Sequence, residues 1–492
     1  LNEDTTDLGT GAGDASRLLG LEGLVVVAVS RREDGSRLVE VVTAPDAQEA
    51  AAACPGCAVV SVQAKEWVIT RPRDVRLGAE RLDLRWRKRR WYCREKRCQI
   101  RAFTECLPSV GHRSRLTSRL RAQAGDLVVD GVCSSVSAAA RSCGLSWPVV
   151  MDSVREQADR AGLLEGPADA VSVLGMDEVR RGRPRWRPPS TQDIAPTSAG
   201  VPETVPSEPV TDAGPTPQRG DECSRARTLA DRWHVGFTDI TGGAGMLAQI
   251  EGRTSDDVAY WLATQTPAWR HRIQFVAIDM CTIFVSAIRR YLPAAQIIVD
   301  RFHVVKLATD TVTEVRRRIT MTRRGRRGRK NDPEWAIRNL LGRNRENLSP
   351  KAFAKIWNTL VELGNDGVTI LKAWIAKDLL RQVLALTPSG PPDSGHAVPD
   401  RSRISQRLTK FYTWCADANI PELDRLATTI DTWWDGIHNA ITSGHSNAAS
   451  EGYNRVVKLD ARNAYGYRNP DNQRLRTRCA TTRRKRGCLN PG

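Results

Sequence analysis

Four cysteines and a handful of carboxylates carry the spacings in this sequence that can do chemistry. Cys54-Pro-Gly-Cys57, with Cys93 and Cys98 further on, reads C-x2-C…C-x4-C. Thiolates so spaced can close a tetrahedral zinc site on two knuckles, Gly56 allowing the tight first turn and Cys106 standing as a weaker substitute ligand. Two apolar runs, Phe275 to Ile278 and Ile297 to Val299, each end at an aspartate, Asp279 and Asp300. At the ends of buried strands such carboxylates can hold a metal, or they can merely start the next helix as N-caps. Upstream, Val173, Gly175 and Asp177 share one face of a short strand by alternation. Downstream, Glu451, Asn454, Arg455 and Lys458 fall on one face of a helix starting near Asn447, which suits a metal-and-phosphate site or a solvated polar face. Taken together, Asp177, Asp279 and Glu451 can hold two divalent ions roughly 3.5 to 4 Å apart for an in-line phosphoryl displacement.

The elements that must position these residues can be read in order. Leu24 to Val29 and Leu38 to Val42 are predicted strands joined by a polar turn. Between the cysteine knuckles, Arg81 to Tyr92 alternates like a strand loaded with arginine and aromatic residues. Its Arg85, Arg87, Lys88, Arg89 and Arg90 can meet DNA phosphates, or the run can be a solvated edge strand protected by charge. From Arg115 the pattern turns helical, with Leu116, Leu120 and Leu127 on one face; a short helix Val136 to Ser142 and a third helix capped by Ser146 follow at helix-turn-helix spacing. The strand ending at Asp177 is followed by a Pro/Ser/Thr/Glu-rich tract, about 188 to 221, read as a disordered insertion. Then come a hairpin, a helix from Thr254 or Ser255, and the strand-helix-strand unit carrying Asp279 and Asp300. Three antiparallel strands followed by strand-helix repeats describe the mixed sheet of an RNase H-like fold. Beyond His303 the chain is mainly helical: Glu334 to Leu341, Ala352 to Leu363, Thr369 to Leu386, Ser402 to Ala416 and Leu423 to Ala440.

Composition bounds the reading. The 492 residues suffice for several domains, and 74 Lys+Arg against 56 Asp+Glu leave a net charge of +18, which points to a polyanionic partner. No apolar run is long enough to span a bilayer, and the acidic start LNEDTTDLG is no secretory signal, so a reducing, cytoplasmic setting on the nucleoid and no membrane partner are expected.

CPGC with RRWYC…C, LGMDEVRRGRPRW, VAIDM, IIVDRFHVVK and SNAASEGYNRVVKLDARNAYGYRN lie in this order between Cys54 and Asn469. In these stretches the chain resembles DDE-type insertion-sequence transposases of the ISL-three family; the tract at 188 to 221 is longer than that pattern has. The resemblance implies a multidomain α/β protein: an N-terminal region with a zinc ribbon (1–110), a helix-turn-helix domain (111–165), an RNase H-like catalytic domain (166–305 and 444–475) interrupted by a helical insertion (306–443), and a basic tail (476–492). It implies Asp177, Asp279 and Glu451 as the triad binding two Mg²⁺ or Mn²⁺ ions, with structural Zn²⁺ on Cys54, Cys57, Cys93 and Cys98. Asp300 competes for the second place. The first and fourth strands of such a sheet are neighbours while the fifth lies further out, so Asp279 is preferred, and Asp300 and His303 take a supporting role. The activity implied is cleavage and joining of DNA strands at terminal inverted repeats by an oligomer on DNA, with Arg455 and Lys458 among the DNA contacts. The alternatives are a regulator that binds DNA without cutting it, and a nuclease that hydrolyses without joining.

Overall fold

The computed structural model describes residues 10–78, 80–163, 171–180, 185–187, 228–230, 232–241, 243–388 and 399–486. The chain divides into two compact units, Leu1–Pro167 with Val456–Gly492, and Ala168–Arg455. The insertion expected at 188 to 221 lies outside the described residues.

The first unit opens with α1 (Thr10–Leu19), β1 (Leu24–Arg31), β2 (Arg37–Thr43), the single turn α2 (Gln48–Ala51), β3 (Ala64–Thr70), β4 (Leu82–Tyr92) and β5 (Ala102–Thr104). The sheet order is β1-β2-β4-β3, with β5 also on β4. The arginine-rich β4 is therefore an interior strand, with β3 at the edge beside it. Alternation explains how so charged a strand sits inside: Leu82, Leu84 and Trp86 bury on one face, while Arg85, Arg87 and Arg89 stay on the other.

Next come α3 (Ser118–Val129), α4 (Val136–Cys143) and α5 (Trp147–Arg160). Thr117 caps α3, so Leu116 precedes the helix instead of joining its face, and Gly144 ends α4 in the left-handed conformation at φ 62°. A Cβ on Gly125 would lie 2.5 Å from Ser153 O, so only glycine lets α3 and α5 cross this closely.

In the second unit, β6 (Val173–Arg180), the short β7 (Arg185–Arg187) and β8 (Thr228–Ala230), β9 (Trp233–Asp239) and β10 (Met246–Glu251) precede α6 (Ser255–Thr264), α7 (Pro267–Arg272), β11 (Phe275–Ile278), α8 (Thr282–Tyr291) and β12 (Gln296–Val299). The main sheet runs β10-β9-β6-β11-β12; β9 is antiparallel to both its neighbours, and β6, β11 and β12 are parallel. This is the mixed, RNase H-like order expected. Leu174, Met176, Phe237, Val276 and Ile278 pack under α6, α7 and α8 through Leu262, Trp269, Phe284 and Ile288.

The helical part comprises α9 (Arg301–Arg324), α10 (Pro333–Ala336), α11 (Arg338–Leu341), α12 (Pro350–Glu362), α13 (Asn365–Leu384), α14 (Arg401–Ala418), α15 (Pro421–Thr432) and α16 (Trp434–Ser443), around a core that includes Val312, Trp374, Leu380, Phe411 and Leu423. Two expected helices are each split in two, at Ile337 and at Trp433. On the last of these, Gly436 gives α16 room to lie on Val299, and Asn439 donates to Ile297 O at 3.0 Å, so α16 covers β12.

The chain ends with α17 (Ala448–Asn463) and α18 (Pro470–Arg486). Part of what the sequence reads as a basic tail is thus helix. Leu475 and Cys479 of α18 complete the apolar core of α3, α4 and α5, and Arg483 donates to the terminal carbonyls of α3 at Val129 (2.9 Å) and Val128 (3.1 Å). Buried Arg476 ties Ser134 O to the carboxylate of Asp460.

Candidate metal and DNA site

The register of three parallel strands does most of the positioning. Ala277 pairs with Gly175 and Ile278 with Val299; carried past the ends of β11 and β12, that register sets Asp279 and Asp300 level with Asp177, which lies within β6 because that strand runs on to Arg180 instead of ending at the aspartate. Asp177 is largely buried and borders Asp279. Burial first, then the Asp279 charge, raises its carboxyl to about 6. Its Oδ1 accepts from the Glu178 amide at 2.7 Å and its Oδ2 from Asn454 Nδ2 at 2.6 Å.

Asp300 is the N-cap of α9, accepting from Phe302 N at 3.2 Å, and burial raises its pKa. His303, on the first turn of α9, places Nδ1 3.0 Å from Asp279 Oδ1 and 3.8 Å from Asp300 Oδ2. Contact with Asp279 raises its pKa above the ordinary imidazole value. The 3.0 Å approach is a close charge contact without hydrogen-bond alignment, so Asp279 Oδ1 and His303 Nδ1 are both buried atoms lacking a hydrogen-bond partner. Asp279, Asp300 and His303 present donor atoms all within 4.8 Å of one another. Glu178 turns the other way, toward Arg253 and Cys281.

The third carboxylate stands differently. Glu451 sits in the first turn of α17, half-exposed, and accepts from Arg455 Nη2 at 2.7 Å. It is not in the cluster of Asp279, Asp300 and His303. One turn further on, buried Asn454 makes the bond to Asp177, so the glutamate's own helix is tethered to the central strand. The face read from the sequence therefore divides: Asn454 points in, while Arg455 and Lys458 are exposed. Close docking is also built into β6, because a Cβ on Gly175 would overlap Ser450 Oγ and lie 2.8 Å from Asn447 Oδ1. Asn447 in turn donates to Met176 O at 3.2 Å. Sequence reasoning missed Asn447, Ser450 and the bond from Asn454; the signal was small polar residues at three- and four-residue spacing opposite a strand glycine.

Two crowded carboxylates, one with an unpartnered buried oxygen, form a donor set that suits an oxygen-seeking divalent cation such as Mg²⁺ or Mn²⁺, and the imidazole beside them is acceptable to Mn²⁺. In the first unit the four Sγ atoms of Cys54, Cys57, Cys93 and Cys98 lie within 4.8 Å, with Cys54–Cys98 at 3.8 Å and Cys57–Cys93 at 3.6 Å. Sulfurs about 2.3 Å from a tetrahedral zinc would be separated by about 3.8 Å. Cys106 is outside this set. The positive φ of the first knuckle is at Ala58, and Gly56 instead makes room for Ile100.

A family model described as a transposase matches residues 221–477. The chain belongs to the ISL3 family of transposases. Two further models of this family match in the order read from the sequence: a zinc-finger of transposases over residues 50–98 and a helix-turn-helix domain over residues 105–156. The chain is 25% identical over 470 residues to the transposase for insertion sequence element IS1001 of Bordetella parapertussis, covering 94% of this chain and 96% of that protein. Family membership and the helix-turn-helix domain carry DNA binding as the coarse function, and no helix among the described residues is long and apolar enough to cross a membrane.

For this family member the structure sorts the arginine-rich strand. Arg85 is paired with Glu40 and Arg90 with Glu66. Lys88 cannot reach a phosphate: it is buried over the Trp86 ring, donating to Glu105 O at 3.0 Å, and burial lowers its pKa. Arg87 and Arg89 lie on the open face.

Proposed function

We propose that this chain binds the terminal inverted repeats of an insertion sequence and catalyses metal-dependent strand cleavage and strand transfer, with Asp177, Asp279 and Glu451 as the residues that hold two Mg²⁺ or Mn²⁺ ions. The observation that carries the reading is the alignment of Asp177, within β6, with Asp279, just past the end of the adjacent parallel strand β11, with the helix of Glu451 tethered to Asp177 through Asn454. When bound, the ions would polarise the scissile phosphate and activate water or a 3′-hydroxyl. The chain's own residues supply the rest. Asn454 and the Glu178 amide orient Asp177; Asp300 caps α9 and so sets His303 against Asp279. To hold an ion, Glu451 would give up its pair with Arg455, and that exposed arginine would then be available to a DNA phosphate, as Lys458 is. The zinc ribbon and the helix-turn-helix would read the end sequence, Arg87 and Arg89 adding salt-sensitive backbone affinity and Arg85 and Arg90 doing so only on leaving their carboxylates. Assembly as a homo-oligomer on DNA, in the bacterial cytoplasm with the nucleoid, belongs to the same reading.

The experiment is end cleavage and joining by the purified protein on DNA carrying the flanks of its source element, with and without Mg²⁺. Joined product supports a transposase, whereas cleavage without joining would mark a nuclease.

A further inference from the structure

Trp67 lies on β3, an edge strand of the first sheet, and is 52% exposed. Its partner across the strands is Arg89, and the next residue on the same face, Ile69, is 49% exposed and pairs with Arg87. The guanidinium carbons of Arg87 and Arg89 sit 4.7 and 4.8 Å from the indole centroid. Neither arginine forms an ion pair among the described residues, whereas Arg85 and Arg90 of the same strand are neutralised by Glu40 and Glu66. The opposite face of β4 is the covered one, built on Leu82, Leu84 and Trp86. The open face thus combines a large exposed ring with two uncompensated cations stacked on it. Both cations sit on the same ring, so an anion that reaches the ring meets two positive charges.

We propose that Trp67, Arg87 and Arg89 form a stacking platform for unpaired DNA, with bases against the indole and guanidinium planes and phosphates on the two cations. The ligand class follows from the chemistry. A duplex offers phosphates but hides its base faces, while an unpaired strand offers both, and stacking on an aromatic ring tolerates any base. The proposal rests on the DNA-processing reading above for the source of unpaired strands, while its residues belong to the first unit and the carboxylate row to the second.

The test uses the full chain and two fluorescein-labelled probes, dT20 and the blunt dA20·dT20 duplex, with binding followed by anisotropy at several KCl concentrations. Trp67→Ala should weaken dT20 binding by roughly 5- to 100-fold and change duplex binding by less than about twofold. Trp67→Phe, which keeps a ring, should retain most of the dT20 affinity. Replacing both Arg87 and Arg89 by Ala should flatten the salt dependence on dT20 by about one unit of log K against log salt. Zinc content and thermal midpoint confirm that each variant is folded. Wild-type dT20 affinity in Trp67→Ala, or equal losses on both probes, overturns the platform. End cleavage with no effect of Trp67 sinks this inference alone; the Trp67 effect without end cleavage sinks the transposition reading alone.

Discussion

Asp177 is held where its charge is costly. Its carboxyl titrates near 6 in the fold against an ordinary 3.8, so between those values the folded chain binds more protons than the unfolded one. Stability from this group therefore falls as pH rises from about 4 to 6, and the deficit, on the order of 2 to 3 kcal/mol, is complete at pH 7. Asp177→Asn should raise the thermal midpoint at pH 7 without divalent ions, leave it unchanged at pH 4, and abolish cleavage. A lower midpoint at pH 7 would mean the carboxylate stabilises the fold. Asn454→Ala removes a donor that aims the same carboxylate; Mn²⁺ affinity measured by calorimetry should drop several-fold while end-duplex binding stays as it was, and unchanged Mn²⁺ affinity would reduce Asn454 to packing. At this scale the sequence was informative about types and less so about partners. Asp177, Asp279 and Asp300 were legible as carboxylates on strands; Asp279 and Asp300 follow the ends of β11 and β12, Asp177 lies within β6, and Asp300 is both an N-cap and a member of the cluster. The contact of Asn454 joins residues 277 apart in the chain, and no local pattern encodes such a pair.

Among the elements, the approach of α17 to β6 depends on a missing side chain. Gly175→Val should push α17 off the strand, with overpacking costing about 1 to 3 kcal/mol and cleavage lost, while zinc content and duplex binding persist. Full cleavage by this variant would show that close docking is unnecessary. In the helical part, Arg326 and Arg324 hold the carboxyls of Asp332 and Glu334 below their ordinary range through hydrogen-bonded ion pairs. Carboxyls lowered in this way stabilise the fold at neutral pH, and that stability is lost as pH falls below about 4. Asp332→Asn should flatten the acid side of the unfolding curve; an unchanged acid midpoint would contradict this. Alternation and apolar runs made β4, β6, β11 and β12 legible; Ser146 marked the start of α5, although its side chain makes no capping bond, and Thr254 that of α6. The packing of α18 was not legible, because its buried face mixes Leu475 and Cys479 with Thr477 and Arg476 and so shows no apolar stripe.

For the whole molecule, domain order was readable because each part carries its own local signature: paired cysteines, two short helices about a glycine turn, and strand-end carboxylates. What needed the structure was which charges are spent internally. Arg85 and Arg90 pair with carboxylates and Lys88 is buried, so the five basic residues of β4 overstate the cations free for DNA on that strand. Replacing Cys54 and Cys57 with Ser should remove one bound zinc per chain, read by elemental analysis, and unfold the ribbon; unchanged zinc would place the metal elsewhere. The central claim is that Asp177, Asp279 and Glu451 act together as a metal-dependent DNA-cutting site. The most direct measurement is the Mg²⁺-dependent rate of end cleavage by wild type, Asp279→Asn and Glu451→Gln, all shown to bind the end duplex equally. We expect both variants to lose at least about a hundredfold in rate. Cleavage by Glu451→Gln at the wild-type rate would contradict the account.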